Sequence, residues 1–101
     1  MVNLEIKGSN IAGHGVFTRD NIVCGENIGL GFKRISTTGN PDVDYARTSL
    51  GEKINHSQDP NIGLLQNGDK FYFISSRDIR SGEELLLDYG GIPWEGKRDF
   101  S

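Results

Sequence analysis

Glycine interrupts this chain so often that no long regular element fits between the interruptions. The sequence holds 14 glycines in 101 residues, about twice the average share. Each glycine inside a helix costs about 1 kcal/mol relative to alanine, whereas in turns glycine supplies backbone angles that other residues avoid. The apolar segments left between the glycines are short, so the expected fold is mostly β, built from small antiparallel strands and tight turns with almost no helix. A chain of this length forms one domain. Its hydrophobic content of 35% makes for a thin core, since a domain this small hides only about 60–70% of its unfolded surface.

Val2, Leu4 and Ile6 alternate with polar residues in the period of a half-buried strand, closed by Gly8-Ser9-Asn10. Ile11 to Phe17 reads as a glycine-flanked turn leading into a second strand. Turn chemistry surrounds the apolar pair Ile22-Val23, and 28–35 is a strand broken by Gly29 and Gly31. Residues 36–44 are a polar loop, and 44–50 has room for one helical turn, weakened by Thr48 and Ser49. The strongest hairpin signal runs from Gly63 to Ser75 around Asn67-Gly68-Asp69, where Asn-Gly supplies positive φ angles. After a turn at 78–82, residues 84–89 form a last strand ending at Tyr89, and the tail from about 90 to 101 is irregular.

Composition excludes several classes of function. A net charge of −3 argues against direct nucleic-acid binding, which needs clustered Lys and Arg, and weakly favours a basic partner. The lone Cys24 rules out an internal disulfide or thiolate metal cluster and suggests a small buried apolar residue. With only His14 and His56 as histidines, no metal site is expected. No apolar run approaches the ~18 residues of a membrane span, and the polar start lacks a signal-peptide pattern. The chain thus reads as soluble and intracellular, in the cytoplasm or, for a viral source, in the host cell.

Four segments could carry chemistry. Gly13-His14-Gly15 is either a hairpin turn or a place where backbone N–H groups approach a ligand; it has neither the Lys of a P-loop nor the third glycine of a dinucleotide fingerprint. Asn55-His56-Ser57 is either a polar turn ahead of Pro60 or a ligand-contacting triplet. A Ser57-His56-Asp59 triad is set aside, because such close sequence neighbours rarely adopt triad geometry and no nucleophile elbow supports it. Tyr45, Tyr72 and Tyr89 could be core packing; Tyr89, beside Asp88 and before Gly90-Gly91, could point its hydroxyl into a cleft. Trp94 is either a plug for the C-terminal tail or a lid over a flat ligand.

Taken in order, these segments resemble the SET domain of protein-lysine methyltransferases. Gly13-His14-Gly15-Val16-Phe17 with Ile22 and Gly25-Glu26-Asn27-Ile28 is similar to the family's opening motif. Ile54-Asn55-His56-Ser57 with Pro60-Asn61 is similar to its central motif, and Arg77-Asp78-Ile79, Gly82-Glu83-Glu84-Leu85 and Asp88-Tyr89 to its closing one. The resemblance implies a β-clip fold of small curved antiparallel sheets, in which the closing segment crosses Asn-His-Ser in a C-terminal pseudoknot. It implies S-adenosylmethionine as cofactor and a protein bearing a target lysine as substrate. By position it assigns Gly13, His14 and Gly15 to the methionine end, and Asn55 and His56 to the methionine and adenine portions. Tyr89 becomes the catalytic tyrosine, Tyr72 an aromatic wall of the lysine channel, Tyr45 a further residue of the cofactor site and Trp94 its cover.

The chain also departs from that family. Glu52 stands where an arginine is usual, so any ion pair of that arginine with the closing glutamates must be rewired. The segment between Ile35 and Glu52 is short, and the zinc-binding cysteine tail is missing. A minimal SET domain over 1–101, of viral or bacterial type, would then complete its groove with its substrate or as a homodimer. The alternative is a non-catalytic SET-like module that binds cofactor or protein but has lost the groove.

Overall fold

The computed structural model describes residues 2–11 and 13–92. The first hairpin joins β1 (Leu4–Gly8) to β2 (His14–Thr18), antiparallel, with Leu4 opposite Thr18 and Gly8 opposite His14. Val2 is buried and Leu4 half-buried, but Ile6 is exposed, because β1 is the outer strand of a two-stranded sheet. Cys24 is also exposed rather than buried. It lies in the turn after Ile22, which takes the buried place by bridging to Ile79, while Cys24 itself donates its amide to Asp78 (2.8 Å).

The second sheet has six strands: β3 (Asn27–Arg34), β4 (Tyr45–Arg47), β5 (Asn55–His56), β6 (Ile62–Asn67), β7 (Lys70–Ser75) and β8 (Leu86–Leu87), in the order β4-β3-β7-β6-β8-β5. Its pairs are antiparallel except those of β8, which runs parallel to both β5 and β6. Two register shifts between β3 and β7, beside Gly29 and Gly31, bend the sheet. On its inner face Phe32 and Phe73 meet edge-to-face with centroids 5.8 Å apart. Val16, Ile54, Ile62, Ile79 and Leu85 close the core around them.

The closing segment joins the two sheets. Thr18 donates its amide to the Glu83 carbonyl (3.1 Å) and Leu85 to that of Val16 (2.8 Å), so the chain first leans on β2. It then enters the space between β5 and β6, two strands joined directly by residues 57–61, whose Ser57 and Asn61 amides bond the Leu87 and Leu86 carbonyls (each 3.1 Å). The Asn61 side chain, 2% exposed, completes the crossing: Nδ2 donates to the Glu84 carbonyl and Oδ1 accepts the Leu86 amide, each at 2.8 Å. This is the pseudoknot that the resemblance implied.

Four local expectations change. The helical turn placed at 44–50 is instead β4 followed by α2 (Ser49–Lys53), and Thr48 caps it, its hydroxyl accepting the Gly51 amide at 3.1 Å. The residue that weakens a helix interior is a good N-cap. The loop 36–44 contains one turn, α1 (Pro41–Asp44). At the β6–β7 hairpin only Gly68 has a positive φ, +62°, and Asn67 ends the strand, so Gly68-Asp69 is the central pair with glycine first. The last strand shrinks from 84–89 to Leu86–Leu87, and Tyr89 opens a 3-10 turn, Tyr89–Gly91, capped by Asp88.

Helix α2 presses its backbone on β3. A methyl at Gly51 would stand 2.2 Å from the Gly31 carbonyl oxygen, which already accepts the Thr48 amide (3.0 Å) and cannot retreat. Helix propensity alone would favour alanine by about 1 kcal/mol, but overpacking against backbone costs about 1–3 kcal/mol or more. Gly51→Ala is therefore expected to destabilise the fold by about 2 kcal/mol, read as a lower denaturant midpoint at unchanged slope.

The loop before β4 is organised by Asp44, which is 5% exposed. Burial alone would raise its carboxyl pKa. The Thr38 hydroxyl and amide, the Ser36 hydroxyl and the Gly39 amide outweigh that and lower it from 3.8 to about 2. The folded state thus holds this proton less tightly than the unfolded chain, so the contribution is complete above pH 4 and fades as pH falls toward 2. Thermal midpoints measured across that window should fall more steeply for the wild type than for Asp44→Asn. Among the described residues no helix is long and apolar enough to cross a membrane.

Candidate active site

The crossing point gathers most of the residues singled out in the sequence. Tyr89, half-buried against the core, donates its hydroxyl to the Ile54 carbonyl, and its amide donates to His56 Nδ1 (3.0 Å). An Nδ1 that accepts a hydrogen bond leaves the ring proton on Nε2. The His56 and Tyr89 rings lie 5.3 Å apart, tilted by 56°, and Asp88 Oδ1 stands 3.9 Å from the same Nδ1. The Arg47 guanidinium covers the Tyr89 ring at 5.6 Å and the Phe32 ring at 5.8 Å. Since β4 and β8 lie far apart in the sheet order, this contact shows how strongly the sheet curls.

The glycine turn reaches the same place. Asn55 Nδ2 donates to the His14 carbonyl (3.1 Å) and to Glu84 Oε2 (2.8 Å), and Glu84 Oε1 accepts the Ser9 hydroxyl (2.7 Å). A methyl at Gly15 would meet Glu84 Oε2 at 2.2 Å and Asn55 Nδ2 at 3.0 Å, whereas the space beside Gly13 is open. Gly15 is thus needed for close approach, while Gly13 and His14 are exposed.

Two tyrosines take other places. Tyr45, on the edge strand β4, packs its ring edge-on to Phe71 (5.9 Å) on the inner face. Tyr72 alternates with the buried Phe71 and Phe73, so it stands on the opposite face of β7, paired in register with Leu30 and the exposed Leu65. The structure does not bring Tyr72 to Tyr89. Trp94 lies outside the described residues.

The SET domain family profile matches residues 35–90, more than half of the chain. The chain belongs to the SET domain family. Among its relatives are the N-lysine methyltransferase KMT5A-A of Danio rerio, 36% identical over 63 residues, and the Potential protein lysine methyltransferase SET6 of Saccharomyces cerevisiae, 38% identical over 39 residues. The matches take in 58% and 39% of this chain but only 18% and 10% of those proteins. The crystal structure of a candidate Plasmodium falciparum histone methyltransferase superposes with a TM-score of 0.66, covering 93% of this chain and 98% of that one at 19% identity. At that identity the likeness is one of fold, and the fold is the curled, mostly β architecture described above.

Within this SET domain, three site residues escaped the reading of the sequence. Glu84 and Asn61 stood inside quoted motifs without a role of their own; a carboxylate and an amide beside apolar strands were the signal. Ser9 gave none, because Gly8-Ser9-Asn10 looks like any turn. Glu52, where the resemblance implies an arginine, is exposed on α2, and the Glu84 carboxylate is held by Ser9 and Asn55.

Proposed function

We propose that this SET domain is an S-adenosylmethionine-dependent protein-lysine N-methyltransferase. The observation that carries the reading is the crossing itself, where the Tyr89 hydroxyl meets the Ile54 carbonyl beside Asn55 and His56, one hydrogen bond from the Gly13-His14-Gly15 turn. When bound, S-adenosylmethionine would supply a methyl on a sulfonium, whose sulfur leaves as a neutral thioether. The site's donors and acceptors fit its zwitterionic end: the Asn55 amide and the Glu84 carboxylate suit an ammonium, Gly13 lies beside open space, and His56 suits the adenine. Asn55, His56 and the glycine turn would hold the cofactor.

What remains for the chain is orientation and proton removal. A lysine must be neutral to attack, and a dry aromatic setting disfavours its charged form. Tyr89 and the Ile54 carbonyl would align such an amine; orientation alone can supply about 7–11 kcal/mol. The test is transfer of labelled methyl from S-adenosylmethionine to lysine-bearing proteins of a lysate, with calorimetry of cofactor binding alongside. Transfer is expected; failure to bind the cofactor at high concentration would sink the reading.

A second reading, a non-catalytic module, is favoured by Tyr72, which faces away from Tyr89 and leaves the channel without that wall. Cofactor binding with no transfer to any basic protein or peptide would decide for the module.

A further inference from the structure

We propose that Ser9 is a positioning residue for the amino-acid end of the cofactor, acting through Glu84 on the side-chain amide of Asn55; this rests on the function proposed above. Both hydrogens of that amide are directed to acceptors: Nδ2 reaches Glu84 Oε2 at 2.8 Å and the His14 carbonyl at 3.1 Å. A flipped amide would turn Oδ1 toward two acceptors, which repel it. These two acceptors set the orientation of the amide, with Oδ1 on the side away from Glu84 and His14; in the function proposed above, the Asn55 amide meets the amino-acid end of the cofactor.

The carboxylate that sets this orientation is itself anchored by Ser9. The hydroxyl donates to Glu84 Oε1 at 2.7 Å, and hydrogen bonds to an ionised acceptor are about twice as strong as neutral ones. The same residue shapes the turn that leads to Gly13. Its amide donates to the Gly13 carbonyl (2.9 Å), and its hydroxyl accepts the Ile11 amide (3.0 Å). Gly15 leaves the room this arrangement needs, since any side chain there would displace the Glu84 carboxylate. Ser9 thus couples the closing of the glycine turn to the aim of the Asn55 amide.

Calorimetry on the whole chain tests this with two probes: S-adenosylmethionine, and 5′-methylthioadenosine, which keeps the adenosine but lacks the amino-acid end. Ser9→Ala should weaken S-adenosylmethionine about tenfold, roughly one hydrogen bond to a charged group, and 5′-methylthioadenosine less than twofold. Ser9→Thr, which keeps the hydroxyl, should restore affinity. Because Ser9 acts through Glu84, adding Ser9→Ala to Glu84→Ala should cause no further loss, the non-additivity of a coupled pair. Equal weakening of both probes, unchanged binding by Ser9→Ala, or additive losses in the double variant would each overturn the inference while the function stands. A wild type that binds neither probe overturns both. Were Ser9→Ala to lose its fold, the Ser9→Thr and Glu84→Ala comparisons decide on the same criteria.

Discussion

Tyr89→Phe should lower methyl transfer by about a hundredfold or more, while the affinity for S-adenosylmethionine stays within about twofold. The rate estimate takes the cost of losing one preorganised hydrogen-bonding group in other enzymes, about 10²–10³ in turnover. The affinity estimate follows from the geometry. The hydroxyl is spent on the Ile54 carbonyl, whereas Tyr89 holds His56 through its backbone amide, which phenylalanine retains. The ring also stays, and with it the packing under Arg47. The stability cost should be about 1 kcal/mol, the usual worth of one hydrogen bond, so a fold defect will not mimic the loss of rate. Single-turnover transfer and calorimetry on the same preparation provide the check. Full transfer by the variant would remove Tyr89 from the chemistry.

The largest effect on stability is expected at Asn61. Asn61→Ala removes a side chain 2% exposed that satisfies the Glu84 carbonyl and the Leu86 amide at once. Each backbone group left unpaired in a buried site costs about 1–3 kcal/mol, so a loss of about 4 kcal/mol is reasonable. Whole domains are held by about 5–15 kcal/mol, so much of the margin would go. Asn61→Asp should be no milder: it keeps the acceptor for Leu86 but sets a buried charge against the Glu84 carbonyl. Chemical denaturation measures both. A loss below about 1 kcal/mol for Asn61→Ala would mean that water replaces the side chain and that the crossing does not depend on it.

Much of the architecture could be read from local chemistry. Strands β1, β2, β3, β6 and β7 carry their own alternation and turn residues, and the Gly68 turn fixes the register of its hairpin. What escaped was set by distant partners. Tyr45–Arg47 looked like a helical turn because its strand character comes only from pairing with Phe32–Arg34. Thr48 argued against a helix until its position made it the cap. Tyr72 resembled a channel wall on strand position alone, yet the two-residue period of β7 assigns it the face opposite Phe71 and Phe73. At the site, the motifs located Asn55, His56 and Tyr89, but the Ser9–Glu84 link joins residues 75 positions apart, and nothing nearby in the chain announces it.

The place of β8 between β5 and β6 has a consequence for synthesis. β6 and β7 can pair as soon as their hairpin leaves the ribosome, but the partner for the other edge of β6 is made about a dozen residues later, a delay of about 0.6–2.4 s at 5–20 residues per second. During that interval β6 presents unpaired backbone groups, the kind of edge that recruits strands from other chains. Translation arrested before Leu87 would hold the nascent chain in that sticky state, so the pace of the ribosome across 76–87 bears directly on the yield of native protein.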